Sequence, residues 1–483
     1  MRVKEENTYR NILKGISLFG SVQMLQILIN VTRGKFVAYL LGPSGMGVSS
    51  LFASSSLTLQ RFSSLGLNLA IVKEVAAASD DRRNLATILS VARRLITFTA
   101  VLAALVCVVF SHWLSILTFG DPSMQWQFML LGIAVGLSVA YTGHLSVLQG
   151  FHDVKNISRA SLVGGVTGLV AGVPLYYLFG TRGIVPAMII LAATLFIFYR
   201  RVLTRPQYSM EREPFSWSRH RPIIKRLLLM GMLLMSNDLL QSLSQYLINI
   251  YINSTGSTDA VGLYQAANSV TAQYAGIVFA VMAMDYFPRL SKSVGDNDEM
   301  RDVVNRQFIV TALIIGPSSG LLIISSPFLI RVLLSPEFLP VTELMRWMGL
   351  GIMFRALMTP LGYISFAKGN KKLFFWMEGV GCNLLTLSLS CGFFHFFGLT
   401  GLGYSLVADN ALCLIIYYIV NRKLYSFRFS RQSMMMMAMA VIATSSVFLA
   451  SFIPATAGYA VMTSILIISG IYSLKRLRRL ALI

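Results

Sequence analysis

Apolar runs long enough to cross a bilayer recur from one end of this 483-residue chain to the other. A spanning helix needs about 20 mostly apolar residues. Runs of that kind stand near 15–41, 45–76, 86–110, 124–149, 157–178, 183–199, 224–253, 260–287, 307–333, 341–366, 373–397, 401–420, 434–452 and 457–474. Only 13% of the residues are charged and 55% are apolar, against about 25% charged in an ordinary soluble domain. A soluble globular fold is excluded, and the pattern predicts an all-α polytopic membrane protein of fourteen transmembrane helices. The charged segment Met1–Lys14 precedes a run too long for a signal-peptide core, so the first helix is expected to be retained.

Lys and Arg number 41 against 20 Asp and Glu, a net charge of +21. The cations sit between the apolar runs rather than in a nucleic-acid-binding patch. With the N-terminus inside, the inner segments hold 34 of the 41, and the outer loops hold only Arg182 and Arg331. Cationic loops resist translocation, which predicts both termini in the cytoplasm of a bacterial inner-membrane protein. The segment Arg200–Arg226 carries eight cations and no long apolar run, and reads as a cytoplasmic linker. Cys107, Cys382, Cys391 and Cys413 lie in or beside apolar runs without CxxC spacing, so they read as small apolar residues, with no disulfide framework or zinc site.

The chain repeats itself. Gly47-Val48 recurs as Gly262-Leu263 at a spacing of 215, and His144–Gly150 (HLSVLQG) recurs as Tyr363–Gly369 (YISFAKG) at 219. The following helices end in FGTRGIVPA and FGLTGLGYS. Six crossings per copy give two copies that enter the membrane in the same direction, related by an axis along its normal as in parallel-repeat transporters. The expected organisation is a six-helix lobe over 1–202, a basic linker over 203–222, a second six-helix lobe over 223–425, and a helix pair with a basic tail over 426–483. The space between two such lobes is the expected substrate site.

Several spans carry polar stripes. Gln23, Gln26, Asn30 and Arg33 fall within roughly 80° of one helix face, at about 100° per residue. Ser50, Ser54, Arg61, Ser64 and Asn68 cluster on the second helix, and Asp238, Gln241, Gln245 and Asn249 on the seventh. Asp238, Gln241 and Gln245 follow Gln23, Gln26 and Asn30 by 215 residues. Ionisable groups at membrane depth usually face a cavity or a partner. After the 36 cations assigned to loops and span ends, Arg33, Lys35, Arg61, Arg346 and Arg355 remain at membrane depth, and helices one and two hold no carboxylate before Glu74. An anionic ligand is the simplest guest, with Arg33, Lys35, Arg61 and Arg355 as its candidate cations. Lys35 points away from most of the stripe and alternatively snorkels to the surface; Arg346 alternatively pairs with Glu343. The membrane-level acids Asp238, Asp285, Glu378 and Asp409 are candidates for proton or Na⁺ coupling, or for interhelical hydrogen bonds and ion pairs.

No GxxxxGK[ST], HExxH or GxSxG occurs, and the five histidines are scattered. An ATP motor and an enzyme are therefore disfavoured, and no cofactor is expected. The segments Arg33–Gly47 (RGKFVAYLLGPSGMG), Ala260–Val270 (AVGLYQAANSV) and Tyr286–Lys292 (YFPRLSK), with the repeat layout, resemble the Wzx-type flippases for O-antigen and capsule of the MATE-like MOP exporter superfamily. The resemblance spans roughly residues 8 to 425. It implies alternating access that carries an undecaprenyl-diphosphate-linked glycan from the cytoplasmic to the periplasmic leaflet. Arg33, Lys35 and Arg61 match cationic positions of that family's cavity, and a polysaccharide polymerase and chain-length machinery are implied partners. The alternatives are a lipid II flippase, a cation-coupled multidrug exporter of the same fold, and a membrane glycosyltransferase or polymerase.

Overall fold

A computed structural model describes residues 2–78, 81–206, 208, 217–453 and 455–481. Side chains are described for these except 2–24, 217–219, 233–234, 277–278, 280–285, 455 and 480–481. The described residues are helical and contain no strand. In chain order the helices are α1 (Arg2–Ser64), α2 (Leu67–Ala77), α3 (Arg82–Val109), α4 (Ser111–Phe119), α5 (Gln125–Gly150), α6 (Val154–Val170), α7 (Gly172–Phe179), α8 (Ile184–Leu203) and α9 (Trp217–Thr255). They are followed by α10 (Thr258–Ser293), α11 (Asn297–Leu333), α12 (Val341–Ala367), α13 (Lys371–Phe374), a π-helix (Phe375–Cys382), α14 (Asn383–Tyr425), α15 (Arg431–Ala450) and α16 (Ala455–Ala481).

Nine helical segments among the described residues are long and apolar enough to cross a membrane. Several contain breaks with local causes. Gly42 (φ 64°) precedes Pro43 and interrupts α1, because a proline disfavours helical geometry in the residue before it. The run 45–76 is not one helix: Leu65 and Gly66 both have positive φ and separate α1 from α2. The run 157–178 also divides, at Ala171, four residues after Thr167 and three before Pro174, whose ring removes a backbone donor. Gly398 (φ 61°) breaks α14.

The chain divides into two compact units, Met1–Ser254 and Thr255–Ile483. In the first, Gly132 and Gly136 of α5 lie against Ala104 and Ala100 of α3, small residues that let the backbones approach. Phe52, Phe119 and Phe128 form a ring cluster with centroids 5.2–6.2 Å apart. Helix α9 crosses the break between α1 and α2 at two glycines; a Cβ on Gly231 would sit 2.9 Å from the Gly66 carbonyl carbon. In the second unit, Trp347 of α12 packs between Tyr404 (4.5 Å) and Phe448 (4.4 Å). The start of α15 is held by Asn305 of α11, whose Oδ1 accepts from the Ser430 amide (2.8 Å) and whose Nδ2 donates to the Arg428 carbonyl (3.1 Å). Outward faces carry Phe98, Leu105, Trp113, Trp126, Tyr177 and Phe396. An apolar exterior over an ordered interior is what a bilayer requires, and the chain is a multi-pass membrane protein.

Just beyond the C-terminal end of α5, Asp153 accepts from the Asn156 amide (3.1 Å) and side chain (2.6 Å) and from the Tyr208 hydroxyl. Burial pushes this carboxyl up, but the hydrogen bonds from Asn156 and Tyr208 and the charge of Arg205 together bring it below its ordinary value.

Gly231→Val is expected to destabilise the protein by about 1–3 kcal/mol through overpacking at the α9 crossing. The check is the thermal midpoint of the detergent-solubilised protein, with Gly34→Ala, where an added Cβ meets nothing within 4 Å, as the neutral control; equal midpoints would refute the crossing.

Candidate functional site

The polar residues of the second and seventh spans meet. Helices α1 and α9 run antiparallel, and their stripes form a ladder: Asn249 Nδ2 donates to Ser54 Oγ (3.2 Å), Thr58 Oγ1 donates to the Ser242 carbonyl (3.1 Å), and Arg61 forms an ion pair with Asp238. Arg226 of α9 and Glu74 of α2 extend it at 2.6 Å. At the other end Tyr246 shares a hydrogen bond with Thr118 Oγ1 (2.6 Å), and Asn253 Nδ2 donates to the Thr118 carbonyl (3.0 Å). Gln245 Nε2 donates to Asn249 Oδ1 (3.3 Å).

Arg61 is thus not a cation without a carboxylate. Its partner comes from a helix far away in sequence, and the pair is open: the two side chains are 41% and 42% exposed. A guanidinium offers several N–H donors in a planar fork, so one carboxylate leaves others free. Asp238 takes the ion-pair role among the alternatives open to it.

The remaining predicted residues distribute as follows. Arg33 is half-buried against Gly168 of α6, where a Cβ would lie 3.4 Å from Nη1; the glycine makes room for the guanidinium. Among the described residues Arg33 has no ion pair. Lys35 and Asn30 are exposed, Gln26 and Asn68 half-buried, and Gln241 exposed. The side chains of Gln23 and Asp285 lie outside the described residues. Arg355, on α12 in the second unit, is exposed, with its guanidinium 5.7 Å from the Phe279 ring centroid. Arg346 does not pair with Glu343 among the described contacts; its Nη1 donates to the Ser451 carbonyl (3.2 Å), which ties α12 to the end of α15.

Glu378 and Asp409 come together in a second polar cluster, inside the second unit. Tyr417 donates to Glu378, Thr386 Oγ1 donates to Asp409 (2.8 Å), and the thiols of Cys382 and Cys413 lie 3.3 Å apart between them. Asn383 Nδ2 donates to the carbonyls of Glu378 (3.1 Å) and Gly379 (2.8 Å), a π-helical turn being a common place for such freed carbonyls. The charge of Arg355 acts on both acids. No group of three or more His, Cys, Asp or Glu suited to a metal ion occurs among the described residues.

Asn305, Thr118 and Tyr246 each join helices through a hydrogen bond and belong to none of the polar stripes of the sequence. Their only sequence signal is a polar atom on an apolar helix.

The helices make a multi-pass membrane protein, and its fold is shared with solved transporters and flippases. A solved lipid II flippase, MurJ in an inward closed conformation, superposes with a TM-score of 0.74 at 14% identity, covering 96% of this chain and all of that one. An inward-facing multidrug resistance MATE family transporter of the MOP superfamily superposes at 0.67 and 15% identity, covering 85% of this chain and 98% of that one. The lipid III flippases of Escherichia coli (strain K12) and Shigella flexneri are each 22% identical over 363 residues, 74% of this chain and 85% of theirs. Residues 36–343 match the polysaccharide biosynthesis protein family, and the chain belongs to that family.

A double-mutant cycle on Arg61→Ala and Asp238→Ala is expected to give a coupling of at most about 1 kcal/mol in thermal stability, because the pair is nearly half exposed. A coupling above about 3 kcal/mol would mean a desolvated, permanent pair.

Proposed function

We propose that the protein is a flippase for a polyprenyl-diphosphate-linked oligosaccharide, carrying it from the cytoplasmic to the periplasmic leaflet of the bacterial inner membrane for surface polysaccharide synthesis. The observation that carries this reading is the open Arg61–Asp238 pair between α1 and α9, in a chain of the polysaccharide biosynthesis family. The lipid III flippase relatives and the shared architecture with a lipid II flippase support a lipid-linked cargo. They supply no catalytic precedent, and the reading is that of a carrier, not an enzyme.

Partner exchange gives a mechanism. An exposed ion pair contributes about 0–1 kcal/mol, whereas a phosphate oxygen pair accepts charge-assisted, bidentate hydrogen bonds from a guanidinium. A diphosphate reaching Arg61 therefore displaces Asp238, which loosens the rung between α1 and α9. Arg33 is the second cation on α1, while Lys35 and Arg355, both exposed, are assigned to cargo contact later in the cycle. Gln26, Asn30, Ser54, Asn68, Gln241, Gln245 and Asn249 provide the polar face for sugar hydroxyls. Asp238, released from Arg61, takes a proton or cation, and Glu378 and Asp409 form a second candidate coupling site. Fourteen spans would leave both termini on the same side of the membrane, and the cationic bias of the intervening segments favours the cytoplasm for that side. A polymerase and chain-length machinery would take up the cargo on the other side.

A second reading, transport of the same cargo as the lipid III flippases, is favoured by the 85% of those proteins that align. Depletion separates the two: the lipid-linked intermediate that accumulates on the cytoplasmic side identifies the cargo. Arg61→Ala is expected to abolish complementation of a depleted strain at normal membrane abundance, and Arg182→Ala to leave it within about twofold, since an isolated surface charge contributes little. Wild-type complementation by Arg61→Ala removes the site assignment.

A further inference from the structure

A second basic site lies in the first unit, away from the α1–α9 ladder. A cavity of about 670 Å³ opens between α3, α5 and α8, within the size range of small-ligand sites. Arg93 of α3, His144 of α5 and Arg200 of α8 converge on it, with Thr97, Phe196 and Thr204 in its wall. The lining includes no carboxylate. Asp153, near its rim, is committed to Asn156 and to the hydroxyl of Tyr208.

Two of the basic groups of the lining gather on Phe196. The His144 ring stacks on Phe196, with centroids 5.5 Å apart and planes at 22°, and the Arg200 guanidinium sits 5.9 Å from the same ring. His144 Nδ1 is buried without a hydrogen-bond partner among the described residues, and an orphaned buried nitrogen is costly unless something fills the role of partner. The charges of Arg93 and Arg200 both bear on that ring. Arg93 has a polar contact of its own, so its contribution is charge, while Arg200 and His144 supply the donors. The hydroxyls of Thr97 and Thr204 already donate to the carbonyls of Arg93 and Arg201, so the basic groups of Arg93, His144 and Arg200 set the character of the lining.

We propose that this cavity is a binding site for a phosphate group, and that its occupant is the head group of an anionic glycerophospholipid. The cavity lies toward the helix ends at Arg82, Gly150 and Leu203. On the orientation proposed above, that end faces the cytoplasmic leaflet, where basic pockets between spanning helices recognise anionic head groups. An anionic lipid head group would come from the bilayer, whereas a soluble phosphate would enter from water; both share the chemistry of a phosphate oxygen on Arg200 and His144.

The test uses the full-length protein in phosphatidylcholine nanodiscs. In one arm, photoactivatable phosphatidylglycerol or phosphatidylcholine, each with the reactive group near the head, is crosslinked and the labelled peptides are mapped. Phosphatidylglycerol is expected to label residues 89–97, 140–147 and 196–208 in clear preference to phosphatidylcholine. Removing the charges in Arg93→Gln/Arg200→Gln is expected to lower that labelling roughly tenfold, the effect of losing charge-assisted hydrogen bonds, while Arg200→Lys retains most of it. In the other arm, inorganic phosphate is titrated against thermal stability without anionic lipid. Stabilisation by phosphate that the double variant lacks, with no preferential lipid labelling, would keep the phosphate site and assign it to a soluble ligand. Equal labelling by both lipids, or none, together with no effect of phosphate, overturns the proposal. That comparison is made on the wild-type protein, so it stands even if the double variant does not fold.

Discussion

An apolar solvent leaves a polar side chain no partner but the protein, and that constraint shapes the first unit. The α1–α9 ladder places Asn249 on Ser54, Thr58 on the Ser242 carbonyl and Asp238 on Arg61. Each rung satisfies a group that lipid would leave bare. The same contacts fix the rotation of α9 about its axis, since a turn of the helix would break several rungs at once. The close crossing of Gly231 over Gly66 then becomes possible because no side chain keeps the two backbones apart.

The rungs are unequal. Those built from amides and hydroxyls are sheltered, with Asn249 fully buried, and they hold geometry. The charged rung is accessible and weak, which makes it the part of the ladder that a competing anion can remove. Stability and responsiveness are therefore divided along one helix pair. A similar division runs through the second unit, where Asn305 clamps the start of α15 and the Glu378–Tyr417 and Thr386–Asp409 contacts join the helix segments on either side of the Gly398 break.

Helix breaks contribute as much as polar contacts. Gly42, Leu65–Gly66, Ala171 and Gly398 divide long helices where a proline ring or a positive φ removes the regular hydrogen bond. Such points free backbone groups and redirect a chain without a soluble loop, which suits a protein whose surface is mostly lipid-facing. They also explain why runs read as single spans, such as 45–76, are jointed.

The membrane class was legible in hydropathy alone, because burying a charge-poor segment of about 20 residues in lipid needs no information beyond its composition. The polar stripes were legible too, since helical periodicity decides which residues share a face. What periodicity cannot decide is which face meets which. Helices one and two hold no carboxylate before Glu74 and so offer Arg61 none nearby, whereas Asp238, 177 positions away, closes on it. The cavity of Arg93, His144 and Arg200 was invisible for the same reason: three helices bring together residues that look like loop charges and a scattered histidine. Composition and period are properties of a segment, and the sequence determines them by itself. Partnership between segments depends on packing distances that exist only once the helices have docked, and the tertiary structure alone decides it.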